Sequence, residues 1–255
     1  MTVKNDLIPS QMLLEACVNS ALSAVEAQKG GADRVELCEN LHDGGTTPSA
    51  GAIWFARKNL KIQLFVMIRP RGGDFLYSGD EFEIMKEDIR MAKTLGSDGV
   101  VFGILKPDGR IDLERMKELV DLSRPMGITC HRAFDMTTDP FDAMDQLIKL
   151  GIDRILTSGQ QPTAPQGAGL IKALITRSAG RIIIMPGCGV KEHNIAELVR
   201  NTGANELHIH LEKQEPSRMI FKQSSVYMGK PDQSEFEHTL TDWERIRNLR
   251  TKIKD

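Results

Sequence analysis

Apolar and polar positions follow two periods along this chain, and the switches between them mark out its elements. Residues 13–18 alternate strictly: Leu14, Ala16 and Val18 fall on one face, Glu15 and Cys17 on the other. Twenty-one residues after Glu15 the same phrase returns, with Val35 and Leu37 alternating against Glu36 and Cys38. Residues 20–30 between them read as a helix. A strand, a helix and a second strand make a parallel pair with a right-handed crossover. Two carboxylates and two thiols therefore meet at the ends of neighbouring strands, while the aliphatic face is free to pack on helices.

A second phrase fixes the architecture. It is a helix end, a Gly, one residue, a turn-former and an apolar strand, and it starts at Gly31, Gly96, Gly151 and Gly203. Gly closes a helix in a left-handed cap, and a short polar side chain turns the chain into the next strand. Each interval has room for helix, strand, helix and strand. The pattern predicts eight strands, at 12–17, 34–38, 62–69, 99–105, 128–134, 153–158, 181–186 and 206–211. It predicts crossover helices near 20–30, 49–59, 80–95, 112–124, 140–150, 166–178 and 191–202. The helix at 80–95 carries its apolar stripe on Phe82, Met85, Ile89 and Ala92, close to the 3.6-residue period. Strict alternation implies an α/β fold with a parallel sheet. Eight units at this length favour closure into a (β/α)8 barrel, and no Gly-rich nucleotide turn follows the first strand to suggest an open sheet. Residues 212–239 are polar and long for a connection, although Met219, Ile220 and Phe221, then Val226, Tyr227 and Met228, are apolar enough to pack on something. A last helix is expected at 240–253, with Leu240, Trp243, Ile246, Leu249 and Ile253 on one side. No linker divides the chain, so residues 1–255 are expected to form one domain, with the tail covering a barrel end or building a subunit contact.

Composition narrows the class. The chain has 255 residues, the usual size of such a barrel, and a formal net charge of −2 with both signs interspersed. Neither nucleic-acid nor membrane affinity is expected. No apolar run approaches the ~20 residues of a membrane span, and residues 1–11 lack the apolar centre of a signal peptide. A cytoplasmic protein is the expectation, with Cys17, Cys38, Cys130 and Cys188 as free thiols or ligands rather than disulfides.

Barrel sites lie at the C-terminal ends of the strands, and here those ends are polar. They carry Glu15 and Cys17, Glu36 and Cys38, Arg69 to Asp74, Cys130 to Asp135, Thr157 and Ser158, Gly187 to Gly189, and His208 with His210. A buried Glu needs a cationic or hydrogen-bonding partner, and Arg69 with one of His131 or Arg132 are the obvious ones. Glu15, Glu36, Arg69, His131, Arg132, Asp135 and His208 together form the inventory of a general acid–base site. The competing account is a closed ion network that does no chemistry. Arg69-Pro70-Arg71-Gly72-Gly73 reads either as an anion loop or as a tight turn with surface arginines. Gly187-Cys188-Gly189 resembles half a phosphate cup, but Leu211-Glu212-Lys213 lacks the other half, so phosphate is not expected. His208 and His210 share a strand face and read as neutral, hydrogen-bonded histidines or, with a carboxylate, a divalent-metal pair. Cys130 is expected in the helix-facing core.

The run Val66 to Phe75 (VMIRPRGGDF) resembles the signature of the CutC copper-homeostasis family. So do Gly31 to Cys38 (GADRVELC), His131 to Met136 (HRAFDM) and Leu156 to Gly159 (LTSG), and the likeness continues to Arg218-Met219 and Val226 to Gly229. The resemblance implies a cytosolic (β/α)8 barrel with a role in Cu(I) binding, and it implies Cys17 and Cys38 as the copper ligands. Cu(I) is soft and favours thiolates, and neighbouring strands lie ~4.8 Å apart, so one ion can be shared. The alternative for each cysteine is packing as a small hydrophobe. Two positions depart from the family pattern: Cys188 interrupts a glycine run, and His210 adds a second histidine to strand eight. Three functions follow. One is a copper-homeostasis protein that binds Cu(I), with no organic cofactor. The second is an enzyme on a small anionic metabolite, working through the Glu, Arg and His groups. The third is a barrel serving as a platform for a homo-oligomer or another partner.

Overall fold

The structure, a computed structural model, describes residues 12–223, 225, 226, 228 and 234–254. Eight strands run parallel: β1 (Leu13–Val18), β2 (Arg34–Leu37), β3 (Gln63–Met67), β4 (Gly99–Phe102), β5 (Gly127–Cys130), β6 (Arg154–Thr157), β7 (Ile183–Pro186) and β8 (Glu206–Ile209). They are hydrogen-bonded in the order β7-β6-β5-β4-β3-β2-β1-β8. β7 and β8 lie side by side at the seam, so the ring is nearly closed. The helices alternate with them: α1 (Ala21–Gly30), α2 (Ala50–Asn59), α3 (Gly79–Thr94), α4 (Leu113–Ser123), α5 (Pro140–Leu150), α6 (Ala168–Ser178), α7 (Ile195–Thr202) and α8 (Trp243–Lys254). This is the (β/α)8 barrel that the strand–helix alternation predicts.

The outer core fills the shell between strands and helices. Leu14, Ala16, Val18, Val35 and Leu37 face it, as does Cys130, and the whole α3 stripe from Phe82 to Ala92 is buried there. Inside the ring the register sets Glu15 opposite Arg34 and Cys17 opposite Glu36. The barrel floor is centred on Phe65. A Cβ at Gly99 or Gly127 would lie 2.4 or 2.8 Å from its ring, so β4 and β5 both open with a glycine that admits it. The Arg34 and Arg154 guanidiniums stack on that ring at 4.9 and 5.2 Å.

The recurring turn phrase has a specific task. Asp33, Asp98 and Asp153 each accept the backbone N–H that opens a strand, at Leu14 (2.8 Å), Leu64 (2.8 Å) and Ile128 (2.7 Å). Each is also paired with an arginine: Arg250, Arg57 and Arg124 respectively. The aspartates tie the N-terminal rim together, which leaves the opposite rim open for chemistry.

Two stretches differ from expectation. The fifth strand stops at Cys130, because His131 caps a short 3-10 helix, Arg132–Met136, with its ring Nδ1 accepting from Ala133 N at 3.2 Å. The tail is not a plain connection: β9 (Glu212–Pro216) and β10 (Glu237–Thr241) pair antiparallel. Leu240 belongs to β10, and α8 starts at Trp243. Ile246, Leu249 and Ile253 are buried against the barrel, with α8 between α7 and α1 as the eighth helix. Met219, Ile220, Phe221, Val226 and Met228 are not covered by the described residues and stand exposed; Tyr227 lies outside the described residues.

Candidate functional site

Alternation along β1, β2 and β8 brings five polar side chains to one end of the barrel interior. Glu15 lies deepest. It accepts from Arg34 Nε and, at 2.8 Å, from His208 Nδ1. Arg34 continues to Glu206 at 2.6 Å, and Glu206 accepts from Arg154 Nε at 3.0 Å. This chain of alternating charge is buried throughout. Burial pushes the Glu15 carboxyl up, but the Arg34 charge and the His208 hydrogen bond outweigh it and bring its pKa down to about 2.

Above that floor sit Cys17, Glu36 and Cys38. One ligand atom from each lies within 4.8 Å of the others, and the same holds for Glu15, Glu36 and His208. The single Cys38 Sγ proton is shared between Glu36 Oε2, at 3.5 Å, and Cys17, and His208 Nε2 is 3.7 Å from the same carboxylate oxygen. The hydrogen bond from Cys38 and the neighbouring His208 hold the Cys17 thiol well below its ordinary range. Donation to Cys17 and burial push Cys38 the other way. Burial and the adjacent Cys17 charge raise the Glu36 carboxyl. Burial disfavours the charged His208 ring, yet Glu36, Cys17 and Glu15 together raise its pKa well above the ordinary value.

A cavity of about 210 Å³ opens over this cluster, and its lining includes Cys17, Glu36, Met67, Arg69, Phe75 and His131, with Arg132, Leu156 and His208. Both members of the unresolved pair, His131 and Arg132, thus reach it, because the chain leaves strand geometry between them and Cys130. Burial and the Arg69 charge depress the His131 pKa to about 3, so the ring is neutral. Its Nδ1 is an acceptor, which puts the proton on Nε2, and that nitrogen is buried with no partner among the described residues. Among the described residues Glu36 Oε1 and Arg69 Nε are buried and unpartnered as well.

Several expected partnerships are rearranged. Arg69 does not pair with Glu15 or Glu36; its Nη atoms donate to the carbonyls of Asp43, Gly45 and Gly73 at 2.7 to 2.8 Å. Arg71 is taken by Glu81 and Asp74, so that loop spends both guanidiniums on its own chain. Asp135 stands apart from the cluster. It pairs with Arg132 and accepts from Thr157, Ser158 and Gln160, which anchors the loop after β6. His210 is not a second ligand beside His208; its ring meets the Cys17 carbonyl at 3.2 Å and Glu212 at 2.9 Å. Cys188 has a left-handed backbone, φ 72°, and points to the Pro162 carbonyl. Burial and the Asp135 charge push Cys130 up to about 12, as befits core packing. The residues missed are Arg34, Glu206 and Arg154, the true counter-ions of the floor. A period-two count from Glu36 back to Arg34 places that arginine inside, and this signal was available.

Eight parallel strands around a buried floor of ion pairs, with thiols, carboxylates and a histidine at the C-terminal end, define a (β/α)8 barrel with a polar interior site. The CutC family profile matches residues 12–213, and the chain belongs to the CutC family. It is 48% identical to the human copper homeostasis protein cutC homolog, over 95% of this chain and 89% of that protein. It is 51% identical to a CutC family protein of Parabacteroides distasonis, over 92% of this chain and 98% of that one. Among solved structures, CutC from Streptococcus agalactiae superposes with a TM-score of 0.75 at 38% identity, covering 78% of this chain and 98% of that one. No helix among the described residues is long and apolar enough to cross a membrane.

Proposed function

We propose that this protein binds Cu(I) in the cytoplasm as part of copper homeostasis, with Cys17 and Cys38 as ligands and Glu36 beside them. The observation that carries the reading is the clustering of both sulfurs and the Glu36 carboxylate within 4.8 Å. Metal–thiolate bonds of about 2.3 Å place two sulfurs on one ion no more than about 4.6 Å apart, so the cluster fits without large movement. Soft sulfur donors suit Cu(I) better than hard divalent ions. Cys17 borders the cavity, which gives an ion a route in, and its lowered pKa favours the thiolate that a metal needs. The mouse and human relatives are named for copper homeostasis, which points the same way.

A competition titration against a colorimetric Cu(I) chelator tests it. The wild-type chain is expected to withdraw copper from the chelator, and the Cys17→Ser, Cys38→Ser double variant to lose that ability. Equal affinity in the two proteins would eliminate these ligands.

A further inference from the structure

We propose that the cavity over Cys17 is a binding site for a small hydroxycarboxylate, with the hydroxyl on Glu36 and the carboxylate against His131, in the field of Arg69 and Arg132. It does not rest on the copper reading, although Glu36 borders both sites.

Three residues lining this cavity carry a buried polar atom with no partner among the described residues: Glu36 Oε1, His131 Nε2 and Arg69 Nε. Native interiors leave few such atoms, and here three belong to residues of one cavity. They ask for different groups. His131 Nε2 carries the proton, because Nδ1 accepts from Ala133 N, so it needs an acceptor. Arg69 makes that acceptor an anion. Its guanidinium stacks on the Phe75 ring at 5.1 Å, the His131 ring lies 4.9 Å from Phe75, and the three form one wall. Arg69 is fixed there by three backbone carbonyls. Arg132, held by Asp135 and Ser158, adds a second cation.

Glu36 asks for a hydroxyl. Its Oε2 is engaged by Cys38, and only Oε1 is open. A hydroxyl both donates and accepts, so it satisfies Oε1 whether the carboxyl is ionised or not. The rest of the wall includes Met67, Phe75 and Leu156, apolar surfaces that suit a carbon skeleton rather than a bare inorganic anion. About 210 Å³ is below the usual range for drug-sized ligands, which limits the molecule to a few carbons.

Isothermal titration of the full chain, stripped of metal with a chelator, tests this with glycolate, lactate, glycerate and 3-hydroxybutyrate. Methyl lactate and inorganic phosphate are the controls. At least one hydroxycarboxylate is expected to bind, with methyl lactate and phosphate weaker by about tenfold or more. His131→Asn keeps an oxygen for the Ala133 N–H and deletes the Nε2 donor; affinity is expected to fall about tenfold. Met67→Phe fills the cavity and is expected to abolish binding, which keeps the test decisive if His131→Asn folds poorly. Cys38 does not line the cavity, so Cys38→Ser is expected to lose Cu(I) and retain the hydroxycarboxylate. Silence from all four acids, phosphate binding as tightly as any of them, or unchanged affinity in Met67→Phe would each overturn the proposal.

Discussion

A carboxylate sealed inside a barrel must carry its neutralising partner with it, and for Glu15 that partner is Arg34, with His208 on the other oxygen. The pKa of about 2 expresses this as stability. Its folded value is depressed below the ordinary 4.5, so the contribution is full above about pH 4.5 and is lost as pH falls toward 2. The shift corresponds to about 3 kcal/mol. Glu15→Gln is therefore expected to destabilise the fold by roughly 3 kcal/mol at pH 7, since it removes one of the two carboxylates that neutralise Arg34 and leaves Glu206 as the other. Urea unfolding at pH 7, 5, 4 and 3 is expected to show the gap between variant and wild type closing only in the most acidic samples. A gap that is the same at every pH would dissociate the cost from the charge. At this scale the sequence was half legible. Alternation put Glu15, Cys17, Glu36 and Cys38 inside correctly. It misassigned their partners, because Arg34 sits in the turn phrase and looks like part of it, while Arg69 sits in the more conspicuous loop.

At the scale of elements, the repeated Gly-x-Asp phrase was readable as punctuation, and the left-handed caps at Gly31 and Gly151 bear that out. What the aspartate does beyond the turn was hidden, since its partner lies a strand away: Asp98 accepts from Leu64 N and pairs with Arg57. The two roles separate by mutation. Asp98→Ala leaves a strand-opening N–H without its acceptor and is expected to cost about 1–3 kcal/mol in chemical denaturation. Asp98→Asn keeps an oxygen there and loses only a part-exposed ion pair, with an expected cost of about 1 kcal/mol or less. Equal losses in the two variants would show that the ion pair, rather than the strand cap, is the stabilising contact. The β9–β10 pair was not legible, because β9 alternates between exposed and half-exposed polar residues and β10 has no alternation, so neither offers an apolar face to count. The early end of β5 escaped for a related reason: Arg132 to Met136 continue an apolar–polar mixture that either a strand or a 3-10 turn accommodates.

For the molecule as a whole, the barrel buries its own core, yet one arm does not share in it. Beyond β9 the side chains of Met219, Ile220 and Phe221 are 58, 99 and 73% exposed, and Val226 and Met228 on the same arm are exposed as well. Large apolar side chains gathered this way mark contact sites more often than idle surface, and a near-neutral chain has little long-range repulsion between its copies. We expect the arm to bury these residues against a second copy of the chain. Replacing Ile220 and Phe221 with Asp places two charges in that contact while leaving the barrel core untouched. Light scattering after size exclusion is expected to show a larger assembly for wild type and a drop in mass for the double variant. The unfolding midpoint, measured at a concentration where the variant is dissociated, is expected to be lower for the variant by whatever assembly contributes. A wild-type chain that elutes as a monomer, or a double variant of unchanged mass, would remove the arm from any role in self-association.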